Sequence, residues 1–291
     1  MRVAISGATG FIGGRLCRWF AARGADVHAL ARRPIDGDGP ANIRCFHCDL
    51  PDHIDERALD GGIDAFIHCA YAIRGPRALT ERTNVSGSER LVQLCRSYGV
   101  PRLVFLSSMS AHEGAESDYA RSKRKVEAIL DPSRDLIVRP GLVVGTGGMF
   151  WRLCELVRRF RVIPILFGGG QLVQTIAVDD LCCGIGAAVD RRLTGAVDLG
   201  EDQPVTLDAL FAAIARMLRV RVTRIRLPGY VILSGLNQAE RLGLRLPISS
   251  EDLRGLKALR PFDVAAGLRA VGLTPKRMQE SVEQLWACAA K

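Results

Sequence analysis

The segment "RVAISGATGFIGGRLCRWFAARG", residues 2–24, constrains the fold more than any other part of the chain. Its first residues are a short apolar run that reads as a buried strand. The run leads directly into glycines at 7, 10 and 13, after which the pattern turns helical and ends at Gly24, a C′ glycine. Glycines at this spacing are a weak signal alone and a strong one between a strand and a helix. Gly7 permits a tight turn, Gly10 lets a pyrophosphate approach the backbone, and Gly13 lets helix and strand pack closely. The helix N-terminus adds N–H groups and the positive end of its dipole. The segment therefore predicts a dinucleotide-binding turn within a parallel sheet.

The following residues repeat the strand–helix alternation. "DVHALAR", "IRCFHCDL", "DAFIHCA", "RLVFLSS" and "DLIVRPG" read as further strands, separated by helical stretches such as "TERTNVSGSERLVQLCRSYG". This order predicts an α/β chain with a Rossmann-type, doubly wound parallel sheet. Near residue 145 the pattern breaks into glycine-rich turns ("GTGG", "FGGG") and a basic helix over 149–161. Residues 1–145 are thus expected to form the NAD(P)-binding domain. Residues 146–291 are expected to form mostly a smaller substrate-binding lobe, with 172–200 returning to the main sheet.

Composition excludes several function classes. No apolar run in the 291 residues reaches the length of about 18 that a membrane span needs. The N-terminus enters a strand with no basic n-region or cleavage site, which predicts no signal peptide and a cytoplasmic chain. Nine cysteines, an odd number, argue against a disulfide framework. Cys45 and Cys48, with His47 between them, lack a second ligand pair for zinc and end an apolar strand, so buried thiols and no metal are expected. Cys182 and Cys183 are expected in a packed helix. The net charge of +9 is spread widely, with arginines gathered in "RRFR" (158–161) and "RVRVTRIR" (219–226). The latter alternates like a half-buried strand with a basic outer face. No nucleic-acid-binding signature accompanies it, and a basic surface also suits an anionic substrate such as a nucleotide diphosphate.

The second strand ends at Ala31, followed by Arg32 and Arg33, where an NAD-preferring site would place an acidic residue for the ribose 2′-hydroxyl. Arginine cannot accept that hydrogen bond but can pair with a 2′-phosphate, which favours NADP(H) over NAD. Asp49, ending the third strand, is within reach of the adenine amino group. Further on, "SDYARSKRKVE" sets Tyr119 and Lys123 one helical turn apart.

With these features in place, the sequence resembles the short-chain dehydrogenase/reductase superfamily. It is most similar to the extended branch, the NAD-dependent epimerase/dehydratase group acting on nucleotide sugars. "GATGFIG", "CDL", "HCA", "TNVSGSERLV", "LVFLSS", "YARSK", "RPGLVVG" and "VDDL" come in that family's order, and the tail from Phe262 also resembles it. The resemblance implies cofactor contacts from Gly7, Thr9, Gly10, Phe11, Ile12 and Gly13. It adds Asp49, Leu50 and Ala70, and a nicotinamide pocket lined by Asn84, Tyr119, Lys123 and the backbone after Pro140. Tyr119 would move a proton at a substrate oxygen and Lys123 would lower its pKa and hold the ribose. A free tyrosine is otherwise a poor base at neutral pH. Ser108 would bond the same substrate oxygen, with Ser107 and Ser110 as alternatives.

There are departures from the family pattern. Met109 and Ser110 stand where 4,6-dehydratases carry an Asp-Glu pair, which disfavours dehydration. The stretch from Ser108 to Tyr119 is short, and it holds His112 and Glu113 as candidate second acid/base groups. Arg152 and Arg158 are candidates for a substrate diphosphate, and Asp179 and Asp180 for capping the next helix.

The expected activity is NADPH-dependent reduction of a keto-sugar nucleotide or related carbonyl compound through Ser108, Tyr119 and Lys123. A nucleotide-sugar epimerase holding NAD is the alternative. A non-catalytic scaffold is a third, with "RVRVTRIR" and the apolar "LPGYVILSGL" as a docking or membrane-surface element. The resemblance also allows a homodimer through the helices within 80–98 and 118–130.

Overall fold

The structure is a computed structural model that describes residues 1–33, 40–73, 75–226, 228–244 and 246–289. Strand β1 (Arg2–Ser6), helix α1 (Phe11–Ala21), β2 (Asp26–Ala31), β3 (Ile43–Asp49), the short β4 (His53–Ile54) and β5 (Ala65–His68) come first. Helices α2 (Arg77–Glu81) and α3 (Gly87–Ser97) flank one π-helical turn, Arg82–Ser86. Strand β6 (Leu103–Leu106), helix α4 (Asp118–Glu127) and strand β7 (Leu136–Pro140) follow. After these come β8 (Leu142–Val144), α5 (Gly148–Phe160), β9 (Val162–Ile165), β10 (Leu172–Val173), β11 (Thr175–Ala177), α6 (Val178–Asp190) and β12 (Gly195–Leu199). The C-terminal part holds β13 (Val205–Thr206), α7 (Leu207–Met217), β14 (Thr223–Arg226), α8 (Gly229–Arg241), α9 (Ser250–Lys257), α10 (Ala265–Val271) and α11 (Met278–Ala289).

Eight strands form one sheet in the order β12-β7-β6-β5-β1-β2-β3-β4. Its pairs are parallel except β3–β4. The central strands β5 and β6 are buried along their whole length, as a sheet covered on both faces requires. Leu16, Phe20, Leu181 and Ile185 pack on one face, and Leu91, Cys95 and Val126 on the other. The chain winds outward from β1 through β2 and β3, then crosses back to place β5 on the other side of β1. That reversal opens a crevice at the carboxyl ends of β1 and β5, where ligands bind in open α/β sheets. Residues 195–199 join the same sheet, with Gly195 to Leu199 in register with Leu136 to Pro140. Helix α6 lies against α1, and Gly186 is where the Trp19 ring packs: a Cβ there would stand 2.0 Å from it.

A second core lies outside the sheet, built from Phe150, Leu153 and Val157 of α5, Phe211 and Ile214 of α7, Leu253 and Leu256 of α9, and Met278 and Val282 of α11. Among the described residues no helix is long and apolar enough to cross a membrane.

Several local expectations need correction. Only Thr223–Arg226 of "RVRVTRIR" is strand, paired with β9 alone. Arg219, at φ 53, takes the left-handed conformation that ends α7, and Thr223, Arg224 and Ile225 are all exposed, so neither face of the strand is buried among the described side chains. Cys48 is buried but Cys45 is exposed, because β3 lies beside the sheet edge. Among the described residues no group of three or more His, Cys, Asp or Glu is placed to hold a metal ion. Asp179 and Asp180 occupy the first turn of α6, whose N-cap is Ala177 with no side-chain cap. Asp179 instead pairs with Arg15, while buried Asp180 accepts from the Lys276 backbone and ammonium at 2.8 and 2.7 Å.

Candidate active site

The crevice between β1 and β5 is shaped by missing side chains. Gly7 has φ +72, and a Cβ on it would sit 2.7 Å from the Ala70 nitrogen. A Cβ on Gly13 would sit 2.2 Å from the Gly7 carbonyl oxygen. Gly10 is the extended N-cap of α1 and brings no capping side chain to its first turn, and Thr9 and Gly10 are exposed. A backbone cradle of this kind, at a helix N-terminus with no carboxylate of its own, fits the pyrophosphate of a dinucleotide. Phe11 turns its ring away from the cradle into "GTGG": a Cβ on Gly145 or Gly147 would approach that ring to within 2.5 or 2.6 Å. Those glycines therefore seat an aromatic ring. Ile12 is partly buried against the main core.

Along the cofactor's expected path, Arg32 and Arg33 are exposed just beyond β2, and Asp49 is exposed at the end of β3. Leu50 packs on Gly87 at the start of α3, where a Cβ would meet Leu50 Cβ at 2.8 Å. Asn84, buried on the π-helical turn, accepts from Ala72 N at 2.7 Å and donates to Ala72 O at 2.9 Å. These two bonds fix the segment that leaves β5.

At the neighbouring strand end, Ser107 N donates to Val138 O and Met109 N to Pro140 O, so β6 stays paired with β7 past its last residue. Successive side chains on an extended segment point to opposite sides. Ser107 accordingly donates to Glu127, which is gripped by Arg139 at 2.9 and 2.7 Å. Ser108 faces the other way, toward Tyr119, and its hydroxyl lies 2.9 Å from the Ser110 hydroxyl. Among the three serines, Ser108 is thus the one placed at Tyr119, with Ser110 behind it.

Tyr119 stands in the first turn of α4. That turn is capped by Ser117, which accepts from Ala120 N, and is tied to α9 by Asp118 N donating to Glu251. Although 36% of Tyr119 remains exposed, desolvation raises its pKa above the usual phenol value, and Ser108 beside it only partly opposes this. One turn on, Lys123 is 3% exposed. Its ammonium donates to Leu106 O at 2.6 Å and lies 4.6 Å from the Phe105 ring, 4.7 Å from Tyr71 and 5.9 Å from Tyr119. Burial pushes the lysine down to about 8, while Cys69 and Glu127 pull it back weakly.

Sequence reasoning missed two residues of this site. Tyr71 makes an edge-to-face contact with Tyr119, with ring centres 4.9 Å apart, and its hydroxyl lies 2.7 Å from that of Ser122. Burial raises its pKa above the phenol value as well. An aromatic residue just past the end of β5, at the switch point, was the available signal. His68 is buried between Ser6 and Ser88 at 2.6 and 2.8 Å, and burial, with Lys123 nearby, pushes it down to about 3. It is therefore a neutral spacer beneath the crevice.

The other candidates lie apart from this centre. Both ring nitrogens of His112 meet backbone carbonyls, those of Glu113 and Ala258, so the residue fastens the short loop to the second lobe, and Glu113 is exposed. Arg152 donates to both oxygens of Asp252, at 2.7 and 2.8 Å, and Arg158 is exposed in the last turn of α5.

Residues 3–196 match the model of the NAD dependent epimerase/dehydratase family. A ceramide reductase of Caulobacter vibrioides is 32% identical over 248 residues, 80% of this chain and 75% of that protein. A 2-alkyl-3-oxoalkanoate reductase of Stenotrophomonas maltophilia is 26% identical over 228 residues, 69% of each. Among solved structures, MoeE5 in complex with UDP-glucose and NAD superposes with a TM-score of 0.75 and 20% identity, over 100% of this chain and 99% of that one. The backbone cradle, the centre beside it and a match across two thirds of the sequence lead to one assignment. The chain belongs to the NAD-dependent epimerase/dehydratase family and is an NAD(P)-dependent enzyme of the short-chain dehydrogenase/reductase superfamily.

Proposed function

We propose that the protein is an NADPH-dependent reductase of a ketone carried on a lipid-type chain, with Ser108, Tyr119 and Lys123 as its catalytic centre. The observation that carries this reading is the placement of Ser108 beside Tyr119, whose pKa burial raises, one turn before buried Lys123. A tyrosine that holds its proton at neutral pH is suited to donate it, which is the need of a reductase rather than of an oxidation. The substrate class rests on two relatives, one named a ceramide reductase and the other a 2-alkyl-3-oxoalkanoate reductase. It also rests on the engagement of Arg152 with Asp252, which occupies one of the two arginines expected at a sugar nucleotide's diphosphate.

Gly7, Thr9, Gly10, Phe11, Ile12 and Gly13 would hold the pyrophosphate through backbone groups. Asp49, Leu50 and Ala70 would lie along the adenosine, Arg32 and Arg33 at its 2′-phosphate, and Asn84 and Pro140 beside the nicotinamide. When bound, the reduced cofactor supplies a hydride equivalent to the carbonyl carbon. Ser108 Oγ would donate a hydrogen bond to the carbonyl oxygen and orient it. Tyr119 Oη would pass its proton to that oxygen as negative charge develops. Lys123 Nζ, in a pocket walled by Phe105 and Tyr71, would exchange the Leu106 carbonyl for the ribose hydroxyls and place positive charge near the phenolate left behind. Residues 146–291 would supply most of the substrate side.

The second reading is a keto-sugar nucleotide substrate, favoured by the net charge of +9 and by exposed Arg158 and Arg159. Oxidation of NADPH and of NADH, each assayed with a long-chain 3-oxo compound and with a dTDP-4-keto sugar, separates the readings. The expected result is turnover of the long-chain ketone with NADPH. Turnover of the sugar nucleotide alone would replace the substrate class. Tightly retained NAD with no net oxidation would make the protein an epimerase.

A further inference from the structure

Helix α8 is apolar on both of its sides, and the fold accounts for only one. Leu236 is buried in the second core, and Ile232 and Leu233 pack against the same core. At 100° per residue, Tyr230, Val231, Ser234, Gln238, Arg241 and Leu242 share the opposite side, in an arc of roughly 120°. The exposures agree with that geometry: Tyr230 75%, Leu242 74% and Val231 42%, with Leu244 just past the helix at 59%. Singly exposed apolar residues are ordinary, but four along one short helix and its exit are an unpartnered surface.

The charge along this stretch of chain is one-sided. Residues 216–249 contain seven arginines and a single carboxylate, Glu240. Glu240 is exposed, but at the same spacing it falls on the core side of α8, outside that arc, and it accepts from the Ser250 backbone at 2.6 Å and the Ser250 hydroxyl at 2.9 Å. The outer arc of α8 thus presents apolar groups and Arg241 and carries no carboxylate of its own. Arg219 and Arg221, exposed on the chain that leads into the helix, have no ion pair among the described residues. A copy of the same face would meet arginine with arginine, which argues against self-association there. Apolar anchors with an amphipathic tyrosine and an arginine border match the boundary layer of an anionic bilayer.

We propose that the outer face of α8 docks the protein on anionic membrane surfaces, with Tyr230, Val231, Leu242 and Leu244 entering the headgroup boundary and the arginines meeting lipid phosphates. The surface is distinct from the catalytic centre, and its test does not depend on which substrate is reduced. Full-length protein is sedimented with vesicles of phosphatidylcholine containing one-third phosphatidylglycerol, and with vesicles of phosphatidylcholine alone. Binding to the anionic vesicles is expected, weakened by raised salt and at least about tenfold by the triple change Tyr230→Ser, Leu242→Ser, Leu244→Ser. Arg241→Glu, a surface change that leaves the apolar groups intact, is expected to weaken it severalfold. An unchanged NADPH affinity and melting temperature establish that both variants fold. Protein left in the supernatant with both vesicle types would overturn the proposal. So would binding that the variants keep, or a wild-type dimer, seen by light scattering, that the triple variant dissolves while vesicles capture neither.

Discussion

Glycine and arginine are put to opposite uses in the two halves of this molecule. In the β1–α1 turn, three glycines hold backbone against backbone and leave the first turn of α1 open to a ligand. In "GTGG", the glycines are filled by the ring of Phe11, a residue of the very turn they resemble. Arg32 and Arg33 stand exposed beside the proposed cofactor path, whereas Arg152 is consumed by a carboxylate one hundred residues away. Composition was the same in each pair, and only the flanking elements told the uses apart. A glycine cluster between a strand and a helix has few geometric solutions, and one after a strand's end has many.

The largest expected effect lies in the first half. Tyr119→Phe should lower kcat by roughly a thousandfold, within the range for loss of a positioned proton donor. It should leave NADPH affinity within about threefold, because the cradle is elsewhere. A loss of ten-fold or less in stopped-flow reduction would take the proton from another group and break the contrast between the halves.

Next comes the glycine comparison itself. In Gly13→Ala the new methyl would stand 2.2 Å from the Gly7 carbonyl, a backbone atom that cannot swing aside. Overpacking of this kind should cost about 3 kcal/mol and weaken NADPH binding more than tenfold. Gly147→Ala meets the Phe11 side chain, at 2.6 Å, and should cost about 1–2 kcal/mol with binding within about threefold. Urea melts and a fluorescence titration read both quantities. Equal losses of binding would mean that the Phe11 ring is itself part of the cofactor site.

What could be read in the sequence follows the same division. The strands of the main sheet, the cofactor turn and the Ser108–Tyr119–Lys123 spacing rest on local pattern, so residues a few positions apart carry them. Tyr71 and His68 escaped because their roles arise only when β1, β5 and α4 converge. "RVRVTRIR" misled because alternation promises a buried face that an edge pairing with β9 does not supply. Arg152 misled because its partner, Asp252, is invisible at any local spacing.

Arg152→Ala sharpens that last point. The pair is 20% and 10% exposed, and Asp252 keeps its bonds to the Ser249 backbone and hydroxyl when the arginine is gone. The cost should therefore be about 2 kcal/mol, below that of orphaning a fully buried ion. KM should stay within about threefold. A KM rise of tenfold or more with stability intact would return Arg152 to the substrate and favour the sugar-nucleotide reading.

The smallest expected effect concerns Lys123, where function and stability oppose each other. Burial holds the folded pKa at about 8, against 10.5 for the free side chain. Between those values the unfolded chain still binds the proton that the folded chain has released, so this residue makes stability rise with pH from 8 to 10.5. Below pH 8 both states are protonated and the full penalty applies, at most about 3 kcal/mol. Lys123→Met removes the penalty but leaves the Leu106 carbonyl without its donor, at a cost of about 1–2 kcal/mol. The variant should be inactive yet about 1 kcal/mol more stable than the wild type at pH 7, and the advantage should vanish or reverse by pH 10.5. Urea melts at the two pH values measure it. A variant less stable at both would mean that the ammonium's bond to Leu106 and its place over the Phe105 and Tyr71 rings outweigh its burial, and that this lysine was selected for the fold as well as for the reaction.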